Sequence, residues 1–417
     1  MNVKRVFAKA RHPDRQQLSA FQNAQLPPPQ KRRHAPNCSL GIRDLLYLWS
    51  SWLSGHGRVY DELPLTIYED ANDRNFDELY RAEADAAATG FRQRAAGLVF
   101  SVILVCGEAL VDLIVEHHED ANAYDAAVSL LGSPGGSPYN VAIGCSQLGF
   151  DAGLSAPVGT DRLGRLLREK LSRSGVRPAF LSASVDPTPV AIVDISDPTS
   201  PQYAFHGLVG LSFSPDEKLG AWTLVRSLHV GSMALVAERS SGDLADLFTR
   251  CSGRKLLSVD PNVRLSMEPS VARWRVQVER FCGLADLVKV SEEDITALYG
   301  EDANTRQIAS SFLRGSCRLV ALTRGARGAT FFSRRHGSLD VPPGKVEVVD
   351  TVGAGDAFQA ALLCWLTSAG HDSGEGVDAL TIDQLRALGT FCTATAAAAC
   401  AQTGPGFAVK GLLEGLR

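Results

Sequence analysis

Asp350-Thr351-Val352-Gly353-Ala354-Gly355-Asp356 is the stretch on which the reading of this chain turns. It follows a β-branched run, Lys345-Val346-Glu347-Val348-Val349, whose composition predicts a strand. It leads into Ala357-Phe358-Gln359-Ala360-Ala361-Leu362-Leu363, apolar nearly all round and rich in helix formers. A strand, a glycine turn and a buried helix leave free backbone N–H groups and the positive end of a helix dipole aimed at one spot. Gly353 and Gly355 let those amides approach a phosphate without an intervening Cβ. Asp356 has two readings. It caps the helix, or it is a base that takes a proton from a hydroxyl attacking the phosphate. A carboxylate repels the ligand that such a turn attracts, so its presence there favours the second reading.

The rest of the composition sets bounds. With 417 residues, 45% hydrophobic and 21% charged, the chain can bury one large core or two smaller ones. Mean hydropathy is near zero, and a formal net charge of −4 points neither to nucleic acid nor to a membrane surface. Nine cysteines are scattered without a CxxC pair or metal spacing, the pattern of reduced, buried thiols in a cytoplasmic protein. No apolar run reaches the roughly 18 residues of a membrane span.

Residues 1–98 form an N-terminal extension of linker-like character. Residues 1–50 carry nine Lys or Arg and only Asp14 and Asp44 as acids, whereas 51–95 carry nine acids against five Arg. Leu26-Pro27-Pro28-Pro29-Gln30-Lys31-Arg32-Arg33 is a linker composition whose basic run reads as a solvated face. Arg43 to Leu53 predicts a short, isolated amphipathic helix. The extension is expected to be poorly ordered and has no assignable role.

Asp350-Thr351-Val352-Gly353-Ala354-Gly355-Asp356 followed by Ala357-Phe358 resembles the C-terminal signature of the ribokinase-like (PfkB) family of ATP-dependent sugar kinases. The resemblance implies a sugar site and a nucleotide site elsewhere in residues 99–417. Ser101-Val102-Ile103-Leu104-Val105-Cys106 reads by itself as a buried parallel strand. In the family an acid just past this strand holds sugar hydroxyls, and Asp112 matches it. Gly132-Ser133-Pro134-Gly135-Gly136-Ser137-Pro138-Tyr139-Asn140, leading into a helix from Val141, resembles the family's N-terminal signature. There Gly135 and Gly136 lie against the sugar and Asn140 bonds its hydroxyls. An amide suits a polyol because it offers both a donor and an acceptor. Relatives that take sugar phosphates tend to carry Lys where this chain has Ser137, and a phosphate needs a cation. Serine therefore argues for an uncharged sugar. Asp161 reads as a helix cap. Alternating patterns near 112–131 and 189–212 imply a small β-lid, and Tyr203-Ala204-Phe205 resembles bacterial fructokinases in particular.

In the second half, Asp260-Pro261-Asn262-Val263-Arg264 matches a fructokinase-like Asp-x-Asn-x-Arg. Arg264 reads either as a contact to sugar or phosphoryl group or as the partner of Asp260. Relatives carry Asn-x-x-Glu where this chain has Ser291 and Asp294, which implies Mg²⁺ bound largely through water. A capping box is the other reading. Thr323-Arg324-Gly325-Ala326-Arg327-Gly328 matches the family's nucleotide strand and puts Thr323, Gly325 and Gly328 at the ATP phosphates and ribose. In relatives Asp350 and Thr351 join a K⁺ site, although Gln402 to Phe407 departs from the family pattern. No P-loop motif occurs, which excludes a P-loop NTPase.

Strands alternating with helices predict an α/β, doubly wound, mostly parallel sheet with helices on both faces and a small β-lid. The implied activity is ATP-dependent phosphorylation of a free sugar, fructose first, with Asp356 as base and Gly353, Ala354 and Gly355 holding the transferring group. A 2-keto-3-deoxygluconate or nucleoside kinase, or a non-catalytic sugar-binding relative, are the alternatives. The partners expected are the sugar and ATP, without nucleic acid or membrane, and a homodimer through the lid edges.

Overall fold

The structure is a computed structural model and describes residues 101–116, 129–194, 202–208, 210–402 and 404. The extension 1–98, the helix expected at Arg43 to Leu53 and residues 403 and 405–407 lie outside the described residues.

The apolar run after Ser101 is strand β1 (Val102–Cys106), buried along its whole length. A strand covered on both faces has no polar side to show, which is why it reads as a continuous run. Its side chains alternate between two cores. Ile103 and Val105 join the one that also holds Tyr139, Phe358 and Leu362, while Val102, Leu104 and Cys106 join the one with Phe248, Trp274 and Phe281. Helices therefore cover the sheet on both faces, as the pattern predicts.

Strands β2 (Leu110–Glu116) and β3 (Ser129–Gly135) follow β1, then β4 (Ala152–Gly159) and β5 (Leu181–Ser184). β6 (Val190–Asp194) and β7 (Gln202–His206) precede β8 (Val225–Gly231), β9 (Leu256–Asp260) and β10 (Leu287–Ser291). β11 (Leu319–Thr323), β12 (Ala329–Ser333) and β13 (Gly337–Val341) complete the series. Among the described residues the main sheet has nine strands in the order β13-β12-β11-β10-β9-β8-β1-β4-β5. All its pairings are parallel except those of β12 with its two neighbours. β4 and β5 continue to one side of β1 and β8 returns to the other, so the winding reverses between β1 and β8. The carboxyl ends of strands at such a reversal form a crevice where open α/β sheets place ligands.

A second sheet has, among the described residues, four strands in the order β3-β2-β6-β7. β3 ends at Gly135, directly before the helix Ser137–Gln147. That helix starts earlier than the expected Val141, because Pro138 is tolerated in the first turn, where its missing N–H would have no partner. No helix among the described residues is long and apolar enough to cross a membrane.

The strand expected at Lys345 to Val349 does not form. β13 ends at Val341, Pro342 and Pro343 interrupt the ladder, and Val346, Val348 and Val349 are exposed. β propensity reflects fit against a neighbour, and the segment pairs with no strand of the described residues. Instead Val349 N and Asp350 N donate to Cys400 O at the end of the helix Ile382–Cys400.

Candidate active site

The helix expected after residue 356 begins at Ala354 and runs to Ser368, with every residue from Ala357 to Leu366 buried. Its cap is Gly353, in the left-handed region at φ 81°, where a Cβ is strained. Asp356 is therefore in the first helical turn and is not the cap. Its carboxylate reaches across the crevice instead. Ser137 Oγ donates to Asp356 Oδ1 at 2.6 Å and Asn140 Nδ2 to Asp356 Oδ2 at 2.9 Å. Burial pushes the Asp356 pKa up, opposed by the two hydrogen bonds and the charges of Lys289 and Arg264.

Three further residues expected at the sugar, Asp112, Gly135 and Gly136, come from the second sheet and the turn after it. A Cβ on Gly135 would lie 2.0 Å from Asp112 Oδ2, so glycine backbone runs alongside the Asp112 carboxylate. Gly136 has φ 106°, and a Cβ there would meet Glu108 O at 2.7 Å. Burial first, then the charge of Asp356, raises the Asp112 pKa to about 6. Asp112, Gly135, Gly136 and Asn140 are thus brought together with Asp356.

Arg264 is exposed and donates to its own Val263 O at 2.9 Å. It does not pair with Asp260. That carboxylate binds Lys289 Nζ at 2.7 Å, and the charge of Arg264 acts on Glu108 and Asp356.

Four buried polar side chains near this cluster, Lys289, Glu108, Gln359 and His229, carry no expectation from sequence. Lys289, 4% exposed, extends from β10 beneath the glycine turn: a Cβ on Gly355 would be 3.2 Å from its Nζ. Glu108 is 1% exposed, accepts from Met233 N at 3.2 Å, and is driven to a pKa of about 7, chiefly by burial. Gln359 Nε2 donates to Ser258 Oγ at 3.0 Å, and His229 Nδ1 lies 3.1 Å from the same hydroxyl, tying the Ala354–Ser368 helix to β9 and β8. Burial, then Lys289, holds His229 at about 3, so it is neutral. One signal was available: a lysine within Leu287-Val288-Lys289-Val290 interrupts a buried strand, where lysine is rare unless paired.

The residues expected at the nucleotide lie on the neighbouring strand and turn. Thr323 ends β11. Gly325 and Gly328 have φ 51° and 81°, and a Cβ on Gly328 would be 2.2 Å from Val341 O. Backbone geometry alone accounts for glycine at both positions. Asp294 and Ser291 form the capping box of the helix Glu292–Tyr299. Asp294 Oδ1 accepts from Val263 N, and Oδ2 from Ser291 N and Oγ. Asp350 Oδ1 accepts from Val352 N and its Oδ2 from Gly404 N, while Thr351 O accepts from Ala354 N. No group of three or more His, Cys, Asp or Glu among the described residues could hold a metal ion.

Comparison with known proteins agrees with this geometry. Residues 101–410 match the family described as pfkB family carbohydrate kinase. A fructokinase from Klebsiella pneumoniae is 33% identical over 300 residues, 71% of this chain and 93% of that protein. Probable fructokinase-4 of Arabidopsis thaliana is 32% identical over 270 residues, 63% of this chain and 82% of that one. Among solved structures, a double mutant of a Vibrio cholerae O395 fructokinase with fructose, ADP and potassium ion bound is 26% identical with a TM-score of 0.58. That match covers 75% of this chain and 96% of the other. With residues 101–410 matched by the family model and a fructokinase a third identical over 93% of its length, the chain belongs to the pfkB family of carbohydrate kinases and is an ATP-dependent sugar kinase.

Proposed function

We propose that the acceptor is a free, uncharged sugar, fructose first, and that Asp356 is the base. The observation that carries this is the pair of neutral donors, Ser137 and Asn140, on the two oxygens of Asp356. They place directional, uncharged groups where the hydroxyl has to arrive, and Ser137 stands where relatives that take sugar phosphates tend to carry Lys. The fructokinases at about a third identity point the same way.

In this reading Asp112 and Asn140 hold the sugar hydroxyls, with the backbone of Gly135 and Gly136 against the ring and Arg264 reaching toward sugar or phosphoryl group. Asp356 takes the proton of the attacking hydroxyl. The amides of Gly353 and Gly355 hold the negative charge of the group in transfer, at the helix end where such charge is stabilised, and that of Ala354 joins them on giving up its bond to Thr351 O. Phosphoryl transfer asks mainly for alignment and charge stabilisation. Thr323, Gly325 and Gly328 flank the ATP ribose and phosphates. The second sheet acts as a lid that excludes water, within a kinase domain spanning 99–417. Leu130, Leu131 and Tyr203, exposed on it, favour a second copy of the chain as partner.

Asp294, already bonded to three protein donors, would hold a nucleotide-borne Mg²⁺ only through water, and such an ion would neutralise phosphate charge. Asp350 and Thr351 are the residues that would border K⁺.

A coupled ADP-release assay across fructose, glucose, ribose, fructose 6-phosphate, 2-keto-3-deoxygluconate and a nucleoside tests the proposal. The highest kcat/KM is expected on fructose. Preference for a phosphorylated or nucleoside acceptor overturns it, and no ADP release with any acceptor favours a binding protein.

A further inference from the structure

Lys289 has no part in the reading above, yet it is the buried cation nearest the glycine turn. Its ammonium makes one hydrogen bond among the described residues, to Asp260 Oδ2 at 2.7 Å. The pair is almost dry, with Lys289 4% and Asp260 1% exposed. Asp260 Oδ1, also buried, has no partner among the described residues. Stability is a poor explanation for such a pair: desolvating two charges usually costs about as much as their attraction returns, and well-packed apolar residues do as well or better. A structural tie between β9 and β10 is also redundant, since their backbones already pair at Leu287 and Val288. Position is the better explanation. The Gly355 backbone lies directly over Nζ, because a Cβ there would be only 3.2 Å away. Asp260, Asp294 and Asp356 all act on Lys289 as opposite charges. The carboxylate of Asp356 and the anion-holding amides thus share one cation beneath them.

We infer that Lys289 is a positioning residue for phosphoryl transfer: anchored by Asp260, its ammonium keeps Asp356 ionised and adds a fixed positive charge under the Gly353–Gly355 amides. The inference rests on Asp356 being the base. Other groups also face Asp356. Ser137 and Asn140 donate from the sugar-side helix, Arg264 contributes positive charge from the loop after β9, and Asp112 on β2 and Asp260 on β9 contribute negative charge. His229, next to Lys289, is neutral. Lys289 is the one buried cation in this set, and its field is poorly screened.

The test uses the full chain with Lys289→Met, Asp260→Asn, the charge-free pair Lys289→Met/Asp260→Asn and Asp356→Asn, each checked by thermal melting. Loss of Lys289 is expected to cut kcat about tenfold to a hundredfold while sugar KM stays within about threefold. In Lys289→Met the acidic limb of the kcat/KM profile moves up by about one pH unit. Asp260→Asn leaves the cation without its partner and moves the limb the other way, whereas a merely structural pair gives no opposed shifts. Should Lys289→Met not fold, the charge-free pair is read for its kcat. A folded Lys289→Met whose limb is unmoved, or a folded charge-free pair with kcat within about twofold of the parent, overturns the inference. Asp356→Asn separates the two levels. Near-parental turnover in that variant sinks the base assignment itself, whereas a dead Asp356→Asn beside an unmoved Lys289 variant sinks only the role of Lys289.

Discussion

Ser137 Oγ and Asp356 Oδ1 meet at 2.6 Å although 219 residues separate them in the chain. The contact joins the helix that follows the second sheet to the helix that opens on the glycine turn. It fixes the orientation of the proposed base, and fixed orientation of this kind can lower much of the barrier to group transfer.

Asp356→Asn keeps the shape and one acceptor oxygen, so one of the two contacts, to Ser137 or to Asn140, is reversed or lost, and it cannot accept the proton. Turnover is expected to fall about 10²–10⁴-fold with an unchanged melting temperature. Steady-state ADP release and circular dichroism melting measure the two quantities.

The pH dependence follows from sign. Burial raises the Asp356 pKa above the ordinary carboxylate value, and a base works only when ionised. Activity is therefore lost as pH falls through that raised value. Asp112 carries like charge close by, and each carboxylate raises the other's pKa. In Asp112→Asn the acidic limb of kcat/KM should move to lower pH, accompanied by a higher sugar KM. A limb that stays in place or rises counts against the coupling.

Gly135→Ala tests the close approach of backbone to Asp112. Its Cβ would fall 2.0 Å from Asp112 Oδ2, so the carboxylate has to swing aside. The sugar KM should rise about tenfold while KM for ATP is little changed. Isothermal titration with the sugar alone gives the same answer without turnover.

Glu108 links pH to stability. It ionises near 4.5 when unfolded and at about 7 in the fold. Between those values the fold holds a proton that the unfolded chain has released, so its contribution to stability declines as pH rises through that window. Glu108→Gln removes the penalty. At pH 8 the variant should be more stable by up to about 3 kcal/mol, with a gain that vanishes near pH 4. Melting curves across pH 4–8 test this, and a gain independent of pH refutes it.

Much of this architecture was readable from residue pattern because it is local. The all-apolar β1 reveals a strand buried on both faces, and the alternation of Val190 to Asp194 and Tyr203 to His206 reveals a half-covered sheet. The glycine turn before Ala357-Phe358 reveals a helix start aimed at an anion. What pattern concealed was pairing across strands. Asp260 and Lys289 sit on adjacent strands 29 residues apart, and nothing within either stretch names the other. The same blindness made Arg264 a natural partner for Asp260. At Lys345 to Val349 the error ran the opposite way, since β-branched composition suggests a strand whether or not an edge stands ready to receive it. Asp294 showed both signals at once, and its capping box was the one visible in the structure.

The long separation between Ser137 and Asp356 also governs when the enzyme becomes active during its synthesis. A ribosome adds about 5–20 residues per second, so roughly 10–40 s pass between the emergence of the two partners. On the proposed assignment, a nascent chain that stops short of residue 353 holds the sugar-contacting residues but no base, and competence waits for residue 356 to emerge.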